Sequence, residues 1–243
     1  MFFLICFITA FVIAFGSIPT IIRIAARLQL FDEPNERKLH VRKTPLLGGV
    51  AVFAAMIFSF TLGAAPYFEK QHLFIITSLI LIFFFGLRDD IAPLAPIKKL
   101  SGQLTAAIIL ILFCKIKLES LHGLFGIHVL NEYASFFLTL LGILFVVNSY
   151  NLIDGIDGLA ASITMLGSLV FGTYFLYTFE WEYAVLAFTI LGATIPFFLY
   201  NAFGNTNKIF MGDTGSLILG FAMTVLVFRF NTMNSMQNMN IHF

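Results

Sequence analysis

The sequence predicts an all-α fold, a polytopic transmembrane helical bundle of about eight spans with both termini external. Three observations predict it. Of 243 residues, 59% are hydrophobic and 11% are charged, against about 45–50% and about 25% in soluble domains. The mean hydropathy is +0.94, which implies more apolar surface than a soluble fold of this length can bury. The apolar runs are long and unbroken, as membrane helices require, whereas a membrane barrel shows alternating segments of about ten residues. The same composition excludes other classes. High hydropathy with a net charge of +1 excludes disorder and offers no basic footprint for nucleic acid. The two cysteines, Cys6 and Cys114, both lie in apolar runs, which excludes a secreted disulfide scaffold.

Spans are expected at about 2–22, 48–67, 72–88, 100–114, 135–150, 158–178, 183–203 and 214–230, each near the roughly 20 apolar residues of a crossing. The first has no basic n-region and no small-residue cleavage site, so it reads as a span and not as a removed signal peptide. The second opens on Gly48 and Gly49, which let a loop pack closely. The third ends at Arg88, Asp89 and Asp90. The fourth and fifth are short, as tilted or shielded helices are. Between them, the external stretch 115–134 is expected to form a short hairpin or helix. The sixth follows Gly155 and Gly158, the seventh follows Trp181, and the eighth follows Asp213.

Basic residues set the orientation. Arg23, Arg27, Arg37, Lys38, Arg42, Lys43, Arg88, Lys98, Lys99 and Lys208 fall on one side, and only Lys70, Lys115, Lys117 and Arg229 on the other. The first side is therefore expected to be cytoplasmic. Tyr67, Tyr133, Trp181 and Tyr183 then sit near external edges, as an aromatic belt does. His72, His122 and His128 are expected at the external surface, and the 31 phenylalanines read as lipid-facing bulk. The whole chain, 1–243, reads as a single integral membrane domain.

Five aspartates, Asp89, Asp90, Asp154, Asp157 and Asp213, fall at span edges on the predicted cytoplasmic face. Each alone could cap a helix, but ionisable groups at membrane depth usually line a functional site. In FFFGLRDDIAPLAPIKKL, two adjacent carboxylates repel and need a cation, which Arg88, Lys98 or Lys99 can supply. Pro93 and Pro96 predict a bent loop after Asp90. In NSYNLIDGIDGLA, Asn148, Asn151, Asp154 and Asp157 recur every third residue, a spacing that brings neighbours onto one helix face. Their oxygens suit a hard ion such as Mg²⁺, and the N–H groups of the following helix suit a phosphate. In NKIFMGDTGSLILG, Asp213 precedes Thr214 and Ser216 at a helix start, either as an N-cap or as a metal carboxylate beside amides facing phosphate. Phe210 and Met211 read as core, with nucleobase packing as the alternative. In FDEPNERKLHVRKTPLLGGVAVF, the cluster Arg37, Lys38, His40, Arg42 and Lys43 suits anionic headgroups and phosphates. There is no Walker loop, dinucleotide fingerprint, HExxH or GxSxG.

These four strings resemble the signatures of the polyprenyl-phosphate N-acetylhexosamine-1-phosphate transferases, from Asp32 to Gly220 and in family order. DEPNERKLHVRKTPLLGG and DDIAPLAPIKKLSGQLTAA are more similar to the undecaprenyl-phosphate N-acetylglucosamine branch than to the muramoyl-pentapeptide branch. The resemblance implies transfer of a sugar 1-phosphate from a UDP-sugar to undecaprenyl phosphate, with release of UMP and with Mg²⁺ or Mn²⁺ as cofactor. It implies a multi-pass protein of the bacterial inner membrane, with a cytoplasmic active site, lipid partners and the capacity to form homodimers. The reaction would be the first membrane step of a cell-envelope glycan.

Residue by residue, it implies that Asp213 binds the metal with Asn151 on or near it. Asp89 and Asp90 are implied at the lipid phosphate, with Asp89 as base, and Asp154 as an essential acid in the same cleft. Asp157 is implied in uracil recognition and Lys99 at phosphate. Asn148 and Lys43 complete the expected substrate-binding set. The family continues with further helices and a His-rich cytoplasmic loop. His242 of NMNIHF falls on the predicted outer side, so that part of the pattern is expected to be missing, and a fragment or an inactive truncated member stays open beside an active enzyme. From the residues alone, a cation- or proton-coupled transporter stays open, since intramembrane carboxylates and glycine-broken helices mark those proteins too.

Overall fold

The computed structural model describes residues 2–32, 44–64 and 69–240. Lys43 and the rest of the basic cluster, Arg37, Lys38, His40 and Arg42, lie outside them, as do Tyr67 and His242. Among the described residues there are eight α-helices: α1 (Phe2–Arg27), α2 (Gly48–Ala64), α3 (Lys70–Ile91), α4 (Pro96–Cys114), α5 (Glu132–Ile153), α6 (Leu159–Tyr177), α7 (Trp181–Ala202) and α8 (Gly212–Asn240). Each matches one expected span. Seven are long and apolar enough to cross a membrane, and α2, at 17 residues, is shorter.

Helices α7 and α8 form the interior, and most of the residues of each are buried. Helix α7 packs on α1, α2 and α6, and α8 on α3, α5 and α2. Lipid tails are as apolar as leucine, so helices associate through close packing of small residues. Helix α1 shows this in the stripe Cys6, Ala10, Ala14 and Ile18, buried at every fourth position. A close backbone-to-backbone approach joins α2 to α8, where a Cβ on Gly49 would overlap the Gly215 backbone. The phenylalanines divide between two environments. Phe58, Phe84, Phe137 and Phe145 face outward, whereas Phe60, Phe175, Phe197 and Phe221 are fully buried core, which corrects the reading of phenylalanine as lipid-facing bulk.

Two further expectations are corrected at the rim where α3 and α7 begin. His72 is buried, in a reciprocal capping arrangement with Glu69. Tyr183 is buried under Arg229, whose guanidinium lies 4.9 Å from the ring centroid and pairs with Glu180 at 2.7 Å. Tyr133 and Trp181 stay exposed, as a belt requires. Between α4 and α5 the chain makes a 3₁₀ turn at Leu124–Gly126, closed by Gly123 N–H to Ile127 O (3.1 Å) and Leu130 N–H to Glu119 O (3.0 Å).

At the opposite rim, a two-residue antiparallel ladder pairs β1 (Phe31–Asp32) with β2 (Thr44–Pro45). From β2 the backbone is stitched to the loop before α8. Phe210 N–H donates to Pro45 O, Gly48 N–H to Phe210 O and Gly49 N–H to Met211 O, at 2.8–2.9 Å. These bonds hold the start of α8 against the start of α2. Met211 is fully buried, as its reading as core requires.

Candidate active site

The rim that carries the stitched loop gathers the ends of α3 and α5 and the starts of α4 and α8. Helix α3 ends before Pro93, and Arg88 donates to Ala92 O at 2.8 Å, so the arginine serves the helix end and not the neighbouring aspartates. Successive residues on a helix point about 100° apart, so Asp89 and Asp90 face different neighbours. Asp89 accepts the Leu94 amide (2.6 Å), which fixes the turn into α4, and lies 3.1 Å from Lys99 Nζ. Asp90 faces the start of α8. Its Oδ1 accepts the Asp213 amide (2.7 Å), and its Oδ2 accepts both the Thr214 amide (3.0 Å) and the Thr214 hydroxyl (2.5 Å).

Pro96 begins α4, as suits a residue with no N–H to satisfy. Lys99 therefore lies in the first turn, where the helix dipole disfavours a cation, and two carboxylates offset that. Lys99 Nζ is 2.5 Å from Asp213 Oδ2 as well as 3.1 Å from Asp89 Oδ2. The other oxygen of Asp213 accepts Asn151 Nδ2–H at 2.5 Å, and the same amide donates to Ser216 Oγ at 3.0 Å. Asp89, Lys99, Asn151 and Asp213 thus form one network drawn from four helices.

Asp154 caps the end of α5. Burial, then the negative charges of Asp213, Asp90 and Asp157, push its carboxyl from the ordinary 3.8 up to about 7. The folded chain therefore favours the neutral acid. This stabilisation is complete below pH 3.8 and is lost as pH rises through about 7. Asp154→Asn, tested in detergent without divalent ions, is expected to unfold at a higher temperature than wild type at pH 8 and at the same temperature at pH 4. The upper bound on the difference is about 4 kcal/mol. A gap between the two proteins that does not change with pH would refute this account.

Other expected members of the site lie apart from this network. Spacing by three on a helix drifts by about 60° per step, and α5 stops before Asp154. Asn148 accordingly faces α4, where its amide donates to Gln103 Oε1 at 2.9 Å. Asp157 is half-exposed and pairs with Lys208 at 2.5 Å, and that lysine lies 5.5 Å from the Phe210 ring centroid. The amides of Asp213 and Thr214, expected to face phosphate, donate to Asp90 instead. Sequence reasoning missed two buried amides. Gln103 partners Asn148. Asn201 accepts Gly158 N–H (2.6 Å) and donates to Ile209 O (3.0 Å), tying the start of α6 to the loop before α8. A polar residue inside an otherwise apolar span was the available signal for each. An open cavity of about 390 Å³ on this rim lies beside Phe15, Tyr200 and the 203–207 turn, and no charged side chain lines it.

Among the described residues, no three histidine, cysteine or acidic side chains converge as a metal-ligand group. Two carboxylates, Asp89 and Asp213, do converge, and the ammonium between them marks a place where positive charge is demanded. Such a donor set fits Mg²⁺, which usually takes one or two protein carboxylates and completes its shell with water and substrate phosphates.

The sequence model of the family described as glycosyl transferase family 4 matches residues 72–231, a stretch that contains all five aspartates. The undecaprenyl-phosphate alpha-N-acetylglucosaminyl 1-phosphate transferase of Escherichia coli K12 is 30% identical over 205 residues, 83% of this chain and 55% of that protein. The Salmonella typhi protein of the same name is 31% identical over 209 residues, 84% of this chain and 56% of its own length. The probable undecaprenyl-phosphate N-acetylglucosaminyl 1-phosphate transferase of Bacillus subtilis is 32% identical over 213 residues, 86% of this chain and 57% of its own length. The chain spans a little over half the length of the curated relatives it matches.

Proposed function

Since the chain belongs to glycosyl transferase family 4, we propose that it moves N-acetylglucosamine 1-phosphate from its UDP-sugar to undecaprenyl phosphate. The reaction runs on the cytoplasmic face of a bacterial inner membrane. The single observation that supports this most is the pair of carboxylates from different helices, Asp89 and Asp213, brought together around one cation at the membrane rim. The relatives' names supply the acceptor and the sugar, and the excess of lysine and arginine on this rim supplies the orientation.

A lipid phosphate oxygen attacks the β-phosphorus of the UDP-sugar. The bond from that phosphorus to the bridging oxygen breaks, and UMP leaves with the bond's electron pair. One phosphoanhydride replaces another, so the protein's task is positioning and charge neutralisation. Mg²⁺, held by Asp213 beside Asn151, would supply the main positive charge at the diphosphate. Lys99 neutralises phosphate charge from the first turn of α4. Asp89 holds the acceptor phosphate in its dianionic form by taking any remaining proton. Asp154, favoured neutral in the metal-free fold, is the further acid assigned to this reaction. Asp157 and Lys208, with Phe210 beside them, would meet the nucleotide end.

The test is UMP release by the purified chain in detergent. Release is expected only with UDP-N-acetylglucosamine, undecaprenyl phosphate and Mg²⁺ or Mn²⁺ all present. Ion flux through liposomes containing the chain, without nucleotide and with no UMP release in the complete mixture, would instead favour a transporter.

A further inference from the structure

Both oxygens of Asp90 are committed to the protein's own backbone. The side chain reaches across from α3 to accept two consecutive main-chain amides, of Asp213 and Thr214, and the Thr214 hydroxyl. Thr214 is fully buried. Gly212 adopts φ +73, and a Cβ there would lie 2.6 Å from Asp90 Oδ2. The backbone at Gly212 is therefore bent tightly over this carboxylate. Amides at a helix start are otherwise satisfied by a local cap or by a bound anion. Here a side chain 123 residues away in sequence satisfies them, and the next side chain along, Asp213, is aimed at Lys99 and Asn151.

We infer that Asp90 is a positioning residue that caps the start of α8 and so aims the Asp213 carboxylate at its cation, and that it does not touch the lipid phosphate. This inference rests on the function proposed above. It divides the adjacent pair by chemistry: Asp89 faces the reacting groups and Asp90 faces the scaffold. An asparagine at 90 would keep one acceptor oxygen, but its NH₂ group would face amide donors, so the cap would be half lost.

Three readouts separate positioning from substrate contact in the purified chain in detergent. First, Asp90→Asn is expected to weaken Mn²⁺ binding, followed by electron paramagnetic resonance, by about 10- to 100-fold, as loss of an outer-shell partner does. Second, the KM for undecaprenyl phosphate at saturating metal is expected to stay within about twofold of wild type. Third, amide hydrogen exchange at 213–214 is expected to rise, because these N–H groups lose their acceptor. Thr214→Val removes one of the three bonds without approaching substrate, and it should shift Mn²⁺ binding the same way by roughly three- to tenfold. Thr214→Val carries the test if Asp90→Asn does not fold.

A raised lipid KM with unchanged Mn²⁺ binding and unchanged exchange would overturn the inference. If wild type releases no UMP under any condition, the proposed function fails. Exchange at 213–214 in the variants, which needs neither substrate nor metal, would still decide whether Asp90 holds the helix start.

Discussion

In the proposed reaction, Asp213→Asn is expected to lower UMP release by roughly 10³-fold, equivalent to about 4 kcal/mol of transition-state stabilisation, while the protein stays folded. Both halves of this expectation follow from how the carboxylate is held. One oxygen faces the Lys99 ammonium and the other faces the Asn151 amide. Asparagine offers a single acceptor, so one donor would meet an NH₂ group, and the negative charge that draws a cation would be gone. The start of α8 would nevertheless remain capped, because the Asp90 bonds go to main-chain amides and to Thr214 and not to the Asp213 side chain. The check is turnover at saturating substrates alongside a melting curve. Turnover within tenfold of wild type would remove Asp213 from the centre of the chemistry.

Gly49→Val is expected to damage the fold itself. A Cβ at 49 would overlap the Gly215 backbone and come within 2.9 Å of the Thr214 carbonyl carbon. Neither backbone can move freely. Gly49 N–H is bonded to Met211 O, and Thr214 is bonded to Asp90. Overpacking of this kind costs about 3 kcal/mol or more, which for a chain of this size lowers the melting temperature by about 6–12 °C. Because α2 and α8 would be forced apart at the rim, activity should fall with stability. A variant that elutes as a single species and melts with wild type would show that the two helices do not meet there.

The bundle was legible because hydropathy reports it residue by residue. Each expected span became a helix, and the main errors lay at the rims. Helix α3 continues to Ile91 and α4 begins at Pro96, past the charges that marked their expected ends. Those charges satisfy one another across helices, as Asp89 and Lys99 do. The expected span edges put His72 and Tyr183 at the exposed rim. In the fold, the Glu69 capping arrangement covers the first and the Arg229 guanidinium covers the second. The string Asn148, Asn151, Asp154 and Asp157, which runs off the end of α5, was legible as chemistry but not as geometry. A repeat of three rotates away from a single face, so Asn148 and Asn151 meet different helices. The Asp90 contact was invisible to any local pattern, because it joins residues 123 apart.

Lys99 has a practical consequence for handling the protein. The scaffold carries its own counter-ion, a lysine fixed between Asp89 and Asp213, and its helix start is pinned by an internal carboxylate. Nothing in that framework is extracted by a chelator. On the proposed chemistry, stripping divalent ions would silence the enzyme without collapsing it, unlike a zinc finger, which unfolds when its metal is removed. Preparations stored in chelating buffer should regain activity on simple readdition of the ion.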